Sequence, residues 1–377
     1  MNEPGDPGTR GPRRTWFTGA RRAVDHDTKG QRVKYRLLGR TGVWVSEISL
    51  GAMTFGGVNH PIYRQLGALG RAEVDTVVGT ALDAGINFVD TADVYSDGES
   101  EELLGEVLGR RRRDVVLATK VHAPTGPGPN DHGQSRLHVM RALEDSLRRL
   151  RTDHIDLYQL HNFDHLTPFE ETLRALDDAV RQGKVRYIGC ANLAAWQVSR
   201  ALGVSARHDW AGFVSVQAHY SLVGRDAERD LLPMAEAEGV GLTVWSPLAG
   251  GFLTGKADRT GTVNDGGSRR AHPEYSQFPL IDPARGHDVL DVLRAVAARH
   301  EVSPARVALG WLLHRPAVTS VIVGARRVDQ LADNIAATEL TLDARDLAEL
   351  DEVSSLPPAY PNWIQQAFAP ARSPRQT

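Results

Sequence analysis

Between Tyr35 and Ser354 the chain alternates short apolar runs with longer amphipathic stretches. Ile48–Leu50, Ile86–Val89, Val115–Ala118, Ile155–Leu160, Val185–Ile188, Val214–Val216, Leu242–Trp245 and Ser320–Val323 are rich in β-branched and aliphatic residues and too short for helices. They predict buried strands. Between them the apolar positions recur with helical spacing. Val74, Val77, Val78, Ala81 and Leu82 share one face, and Gly85 closes that helix. Leu103, Leu104 and Val107 form the inner face of the next, opened by Glu99 or Ser100. RALEDSLRRL (141–150) and TLRALDDAVRQGKV (172–185) continue the series, the second stopped by its glycine. Two helical stretches, Asp288–His300 and Pro304–Arg315, precede the last strand. Ahead of all of this, YRLLGRTGVWVS predicts a hairpin turning about Gly39–Gly42.

Eight strands, each followed by helix or loop, predict a closed (β/α)8 TIM barrel, an α/β fold. The N-terminal β-hairpin suits the closed bottom of such a barrel, and extra C-terminal helices lie beyond the eighth strand. An open doubly wound sheet is the alternative, but no G-x-G-x-x-G follows the first strand. One domain is expected over 33–356. Residues 1–32, rich in Gly, Pro and Arg, read as an extension without fixed structure, and 357–377 as a tail. The stretch 251–283 is long for a barrel connection, and TGTVNDGGSRR within it is expected to be mobile.

Composition narrows the function classes. Of 377 residues 41% are hydrophobic and 24% charged, and the net charge is −3. That balance offers nothing to nucleic acid or to an acidic membrane surface. No run approaches the roughly 18 apolar residues a membrane span needs. The segment before Tyr35 has no apolar core for a secretory signal, although Arg13–Arg14 forms a twin-arginine pair. The single cysteine, Cys190, excludes an internal disulfide and suits a reducing, cytoplasmic setting. Arg110–Arg113 reads as a solvated helix end favoured by the macrodipole. No metal site is expected.

In a barrel the C-terminal ends of the strands converge on one face. Asp90 ends the second strand and Tyr95 lies in the loop after it; Lys120 comes from the third and His161 from the fourth. Singly, each has an ordinary explanation as a packing, surface or structural residue. On one rim they form a proton-transfer set. A tyrosine hydroxyl, with an unperturbed pKa of about 10, is a poor acid at neutral pH unless a neighbouring cation favours the phenolate. Lys120 supplies that cation, Asp90 holds it charged, and His161 orients a carbonyl oxygen.

In LGRTGVWVSEISLGAMTFGG, GINFVDTADVY, TKV, DLYQLHNFD, GKVRYIGCAN, WSPLAGGFLTGK and VIVGARRVDQLADNI, taken in order, the chain resembles the aldo-keto reductases. The resemblance runs from Tyr35 to about Ser354. It implies a catalytic tetrad of Asp90, Tyr95, Lys120 and His161 with Tyr95 as general acid, and a nicotinamide cofactor, NADPH, giving hydride to an aldehyde or ketone. It also implies cofactor contacts at Gly51, Met53 and Asp90, carboxamide ligands at Asn192 and Gln217, and an aromatic face at Trp245. A pyrophosphate loop falls on Ser246, Pro247, Leu248, Gly250, Gly251 and Lys256. The adenosine site falls on Gly324, Ala325, Arg326, Gln330 and Asn334, at the start of the last helix, where a 2′-phosphate is favoured. Phe55, Tyr95, His161 and Asn162 are the expected substrate contacts. Trp44, Phe163, Tyr360 and Trp363 are further pocket candidates that suit core packing equally well.

Two departures stand out. Ala191 precedes Asn192 where the family usually has serine, and Asn162-Phe163-Asp164 after His161 is not a diagnostic wall. The glycine- and proline-rich loop 123–136 is expected to border the substrate mouth. The expectation is an NADPH-dependent reductase of a small carbonyl compound, cytoplasmic, with no nucleic-acid or membrane partner and an open oligomeric state. The alternatives are a reductase of a sugar-derived keto or enoyl intermediate in secondary metabolism, or a cofactor-binding regulatory subunit with little turnover.

Overall fold

The computed structural model describes residues 33–256 and 278–368. Two antiparallel strands, β1 (Tyr35–Leu37) and β2 (Trp44–Ser46), precede eight parallel ones. These are β3 (Ile48–Gly51), β4 (Phe88–Asp90), β5 (Val116–Val121), β6 (Ile155–Leu160), β7 (Val185–Ala191), β8 (Phe213–His219), β9 (Gly241–Trp245) and β10 (Val318–Val323). They pair in chain order, and β10 closes the ring between β9 and β3. The barrel, the hairpin and the helices after the eighth barrel strand are as the periodicity predicts. The expected disorder of 1–32 and the expected mobility of TGTVNDGGSRR fall outside the described residues.

Strand limits differ by a few residues for local reasons. β4 starts at Phe88 because the Asn87 amide is bonded to the hairpin: its Oδ1 accepts from the Ser46 amide at 2.8 Å and its Nδ2 donates to the Trp44 carbonyl at 3.0 Å. The hairpin stoppers the N-terminal end of the barrel. Leu38 and Val45 meet Phe88, Ala118 and Leu157 in a small apolar layer of their own. Its tip lies so close to β8 that a Cβ on Gly39, which has φ +60°, would stand 2.2 Å from the Val214 carbonyl oxygen. Side chains along a strand alternate, so the next inward positions above Phe88, Ala118 and Leu157 are Asp90, Lys120 and Gln159. The polar layer is therefore one step up from a sealed bottom. Trp44 belongs to the hairpin at that sealed end, so it is not a pocket residue.

The helices are α1 (Arg71–Asp83), α2 (Glu99–Leu108), α3 (Arg136–Arg149), α4 (Phe169–Arg181), α5 (Ala195–His208), α6 (Leu231–Glu238), α7 (Pro283–Arg299), α8 (Pro304–Leu313), α9 (Val328–Ile335), α10 (Ala344–Ser354) and α11 (Asn362–Phe368). The last two pre-β10 helices carry clear start signals: Asp282 and Ser303 accept from backbone amides of the first turn, each followed by proline. The main apolar core lies between the strands and this helical layer. α9 is not the last helix, since α10 and α11 follow it, and part of the expected tail is helical. Tyr360 and Trp363 there are 77% and 49% exposed, and Asn362 ties the segment to the Arg229 carbonyl at 2.8 Å. The basic run is also more than a solvated helix end. Arg112 turns inward to Asp156 at 2.8 Å and to the carbonyl of His154 at 2.8 Å. Among the described residues no helix is long and apolar enough to cross a membrane.

Candidate active site

Asp90, Lys120 and Tyr95 meet at the C-terminal mouth. Lys120, buried to 0% exposure, points from β5 into the lumen, where its Nζ lies 2.5 Å from Asp90 Oδ2, 2.8 Å from the Thr91 carbonyl and 3.3 Å from the Tyr95 hydroxyl. All three ammonium donors are thereby used. The other Asp90 oxygen accepts from Gln159 Nε2 at 3.1 Å and Gln217 Nε2 at 2.9 Å. Burial alone would lower the Lys120 pKa, but Asp90 and then Tyr95 beside it outweigh burial and hold it above the ordinary lysine value. The site thus keeps a permanent cation against a phenol.

His161, in the first position after β6, stands edge-on to Tyr95 with ring centroids 5.8 Å apart and planes at 77°. Burial first, and then the Lys120 charge, push its pKa down to about 3, so the imidazole is neutral at physiological pH. A neutral ring carries one N–H donor. Its Nδ1 is buried without a hydrogen-bond partner among the described residues. Asn192, with φ +59°, swings its amide across β7's end: Nδ2 donates to the His161 carbonyl at 2.9 Å and Oδ1 accepts from Trp245 Nε1 at 2.9 Å. Each end of that amide keeps one further bonding position, as does Gln217 Nε2.

The other sequence-derived positions are spread around this centre. Gly51 ends β3 directly beside Asp90, in register with it, and Met53 is half-buried in the loop that follows. Trp245 is half-buried, with the Phe278 ring stacked on it at 5.4 Å and the His219 ring 4.9 Å away. After it, Ser246, Ala249, Gly250 and Gly251 all have positive φ (51°, 51°, 66° and 93°), and Ser246 Oγ accepts from the Gly250 amide at 3.0 Å. Pro247 is buried, and Leu248 and Lys256 are half-buried. Beyond β10, Gly324 is exposed and Ala325 buried; the Arg326 amide donates to Gln330 Oε1 at 3.1 Å, and Asn334 is buried in α9. Arg327 donates two hydrogen bonds to the Asp329 carboxylate, each at 2.9 Å, and Arg326 Nη2 donates to the Gln65 carbonyl at 3.1 Å. Asn162 is exposed at the rim. Phe55 is wholly buried in the core, so core packing is the role its position fits.

These groups suit a dinucleotide. The loop 246–251 is held by its own bonds: the Ala249 amide donates to the Ser246 carbonyl at 2.8 Å and the Gly251 amide to the Leu248 carbonyl at 3.0 Å. The loop 123–136 docks against the His161 side: the Gly133 amide donates to the His122 carbonyl at 2.8 Å, and Gln134 bonds the Asn162 carbonyl. Among the described residues no cluster of ligands could hold a metal ion.

Two contributors escape a reading of strand ends. Gln159 is the clearer, and its signal is positional: a polar residue two places before His161 shares its inward face. Phe278, stacked on Trp245, gives no comparable sequence signal.

Behind Lys120, on the outward side of the same strands, is a second buried group. Glu101 of α2 accepts from Thr119 Oγ1 at 2.5 Å and from Arg149 Nε at 2.7 Å. Asp93 is 2% exposed nearby, and neither of its carboxylate oxygens has a hydrogen-bond partner among the described residues. Burial first, then the Glu101 charge, raise its pKa well above the ordinary carboxyl value. The folded chain then holds a proton that the unfolded chain releases at about pH 4, so stability falls as pH rises from there towards the folded value. Asp93→Asn, which resembles the protonated acid, is expected to be more stable than wild type at pH 8 by about 1–3 kcal/mol, with the gap closing below about pH 4. Urea melts across that range measure it.

A parallel eight-stranded barrel with a buried lysine–aspartate pair against a tyrosine, all at the C-terminal mouth, defines the class. The model of the aldo/keto reductase family matches residues 47–355, and the chain belongs to that family. It is 39% identical over 339 residues to an uncharacterized oxidoreductase of Bacillus subtilis (strain 168), covering 85% of this chain and 96% of the relative. It is 36% identical over 316 residues to a protein of Arabidopsis thaliana named a probable voltage-gated potassium channel subunit beta, covering 82% and 92%. It is 31% identical over 344 residues to versiconal hemiacetal acetate reductase of Aspergillus parasiticus, covering 85% and 96%. Family and relatives together make this chain an oxidoreductase of the aldo-keto reductase type.

Proposed function

We propose that the chain is an NADPH-dependent reductase of aldehydes or ketones, with Tyr95 as the general acid. The observation that carries this reading is the Tyr95 hydroxyl 3.3 Å from a fully buried Lys120 that is itself fixed by Asp90. A bound nicotinamide would supply the hydride for the carbonyl carbon. Tyr95 gives its hydroxyl proton to the carbonyl oxygen, and the phenolate left behind is stabilised by the Lys120 ammonium. Asp90 keeps that ammonium charged. The neutral His161 donates a hydrogen bond that orients the oxygen beside Tyr95. Asn192 and Gln217 would use their remaining bonding positions on the carboxamide, Trp245 would give the ring a flat face, the loop 246–251 would hold the pyrophosphate, and Arg326 would meet the 2′-phosphate.

The test follows NADPH absorbance over a panel of aldehydes and ketones that includes a nitrobenzaldehyde. Turnover with several members is expected. Tight NADPH binding with no turnover would replace this reading with the cofactor-binding subunit, which the likeness to the Arabidopsis protein favours. Reduction of a secondary-metabolism intermediate is the narrower form of the enzyme reading, in keeping with the Aspergillus relative. The reading places the enzyme in the cytoplasm, with a small carbonyl compound as its partner.

Cofactor choice is tested at Arg326. A charge-assisted pair with the 2′-phosphate contributes about 1.5–3 kcal/mol, or roughly 10- to 100-fold in affinity. Arg326→Ala is expected to weaken NADPH by that factor and leave NADH nearly unchanged, read by fluorescence titration. Equal wild-type affinities for the two cofactors would sink the assignment.

A further inference from the structure

One loop touches both the turn after Tyr95 and the segment that carries Arg326. After Tyr95 the backbone turns through Ser96, Asp97 and Gly98 with φ of 52°, 55° and 94°. Left-handed conformations at non-glycine residues persist only where their surroundings hold them. The holding comes from the connection between β3 and α1. The Ser96 hydroxyl donates to the Phe55 carbonyl at 2.9 Å, the Gly57 amide donates to Glu99 Oε2 at 2.6 Å, and the Tyr63 hydroxyl donates to the Val94 carbonyl at 2.9 Å. His60 Nε2 lies 3.2 Å from Asp97 Oδ2. The approach is close: a Cβ on Gly57 would stand 2.5 Å from Tyr63 Cβ and 2.9 Å from Ser96 Oγ.

The far side of the same loop is bonded to the segment after β10. Arg326 Nη2 donates to the Gln65 carbonyl at 3.1 Å, and Thr54 Oγ1 donates to the Ala325 carbonyl at 3.3 Å. Tyr63 and Gln65 belong to one 3-10 turn, Tyr63–Gln65, closed by the Leu66 amide on the Tyr63 carbonyl at 2.8 Å. The loop's own ends are pinned by the Gly56 amide on the Leu69 carbonyl and the Leu69 amide on the Thr54 carbonyl, each at 2.9 Å.

We propose that the turn Tyr63–Gln65 is a strut tying Arg326 to the peptide in front of Tyr95, so that Tyr63 is a positioning residue for the Tyr95 hydroxyl and a change at Arg326 is felt there. The strut holds Val94, the residue before Tyr95, from one side of a single turn and Arg326 from the other. A rigid one-turn element passes a displacement between those two contacts instead of absorbing it. The role of Tyr95 as acid and of Arg326 as phosphate contact rests on the function proposed above; the mechanical link rests on the bonds alone.

Two measurements on the full chain test it. Tyr63→Phe keeps the ring and removes the bond to Val94. It is expected to lower kcat with NADPH by about tenfold while KM for the aldehyde stays within about twofold, because misplacing a reacting group costs rate more than binding. In cofactor-free protein, hydrogen exchange of the amides over 93–98 is expected to quicken by about tenfold in Tyr63→Phe and in Arg326→Ala, and to stay at the wild-type rate in Arg326→Lys, which keeps a donor for Gln65. Exchange over 93–98 that is unchanged by Arg326→Ala overturns the strut, as does a Tyr63→Phe kcat within twofold of wild type. Wild-type protein that turns over no carbonyl compound refutes the proposed function instead, and the exchange measurement still decides the strut.

Discussion

Tyr95→Phe is expected to lower turnover by about 10²–10⁴-fold while leaving NADPH affinity within a few-fold of wild type. The substitution removes one hydroxyl and keeps the ring that stands edge-on to His161 at 5.8 Å. Lys120 keeps its bonds to Asp90 and to the Thr91 carbonyl, so the buried pair survives. What goes is the hydroxyl bonded to the Lys120 ammonium, and a neutral His161, its pKa pushed down to about 3, is a weak substitute as proton donor. Steady-state kinetics with an aldehyde, and a fluorescence titration with NADPH, separate the two effects. Activity within a few-fold of wild type would remove Tyr95 from its role.

The second large effect is at Lys120, where activity and stability are coupled. Lys120→Met leaves the Asp90 carboxylate, 2% exposed, with only the amides of Gln159 and Gln217 as side-chain partners among the described residues. Removing one partner of a buried pair costs about 3–5 kcal/mol, since the remaining charge is stranded. The cation proposed to stabilise a Tyr95 phenolate is lost as well, so turnover is expected to fall by at least about 10²-fold. Adding Asp90→Asn to Lys120→Met removes the stranded charge and is expected to restore most of the stability but none of the activity. Urea melts and turnover of the single and double variants decide it. A Lys120→Met protein as stable as wild type would mean that Asp90 takes up a proton at little cost.

Much of this was present in local pattern. Period-two apolar runs and helical spacing are set by residues a few positions apart, so eight strands, their helices and the hairpin could be read directly. Asp90, Lys120 and His161 were legible because a parallel barrel brings all strand ends to one mouth, whatever the details of its packing. Tyr95 followed from its place in the loop after Asp90.

Other features depend on residues far apart in sequence. The hydrogen bond from Gln217 to Asp90 spans 127 positions and that from Gln159 spans 69, so neither is implied by any local spacing. Phe55 and Trp44 carry the same aromatic signal as a pocket wall, yet closure of the barrel buries one in the core and places the other at the opposite end. Arg112 reads as solvated charge until β6 supplies Asp156. The order of elements and the residues that reach the mouth follow from chain-local periodicity and were legible in the amino-acid pattern. Which of those residues touch, which charges are buried together, and that one turn joins Arg326 to the peptide before Tyr95 are settled by folding, because those contacts exist only once the ring is closed.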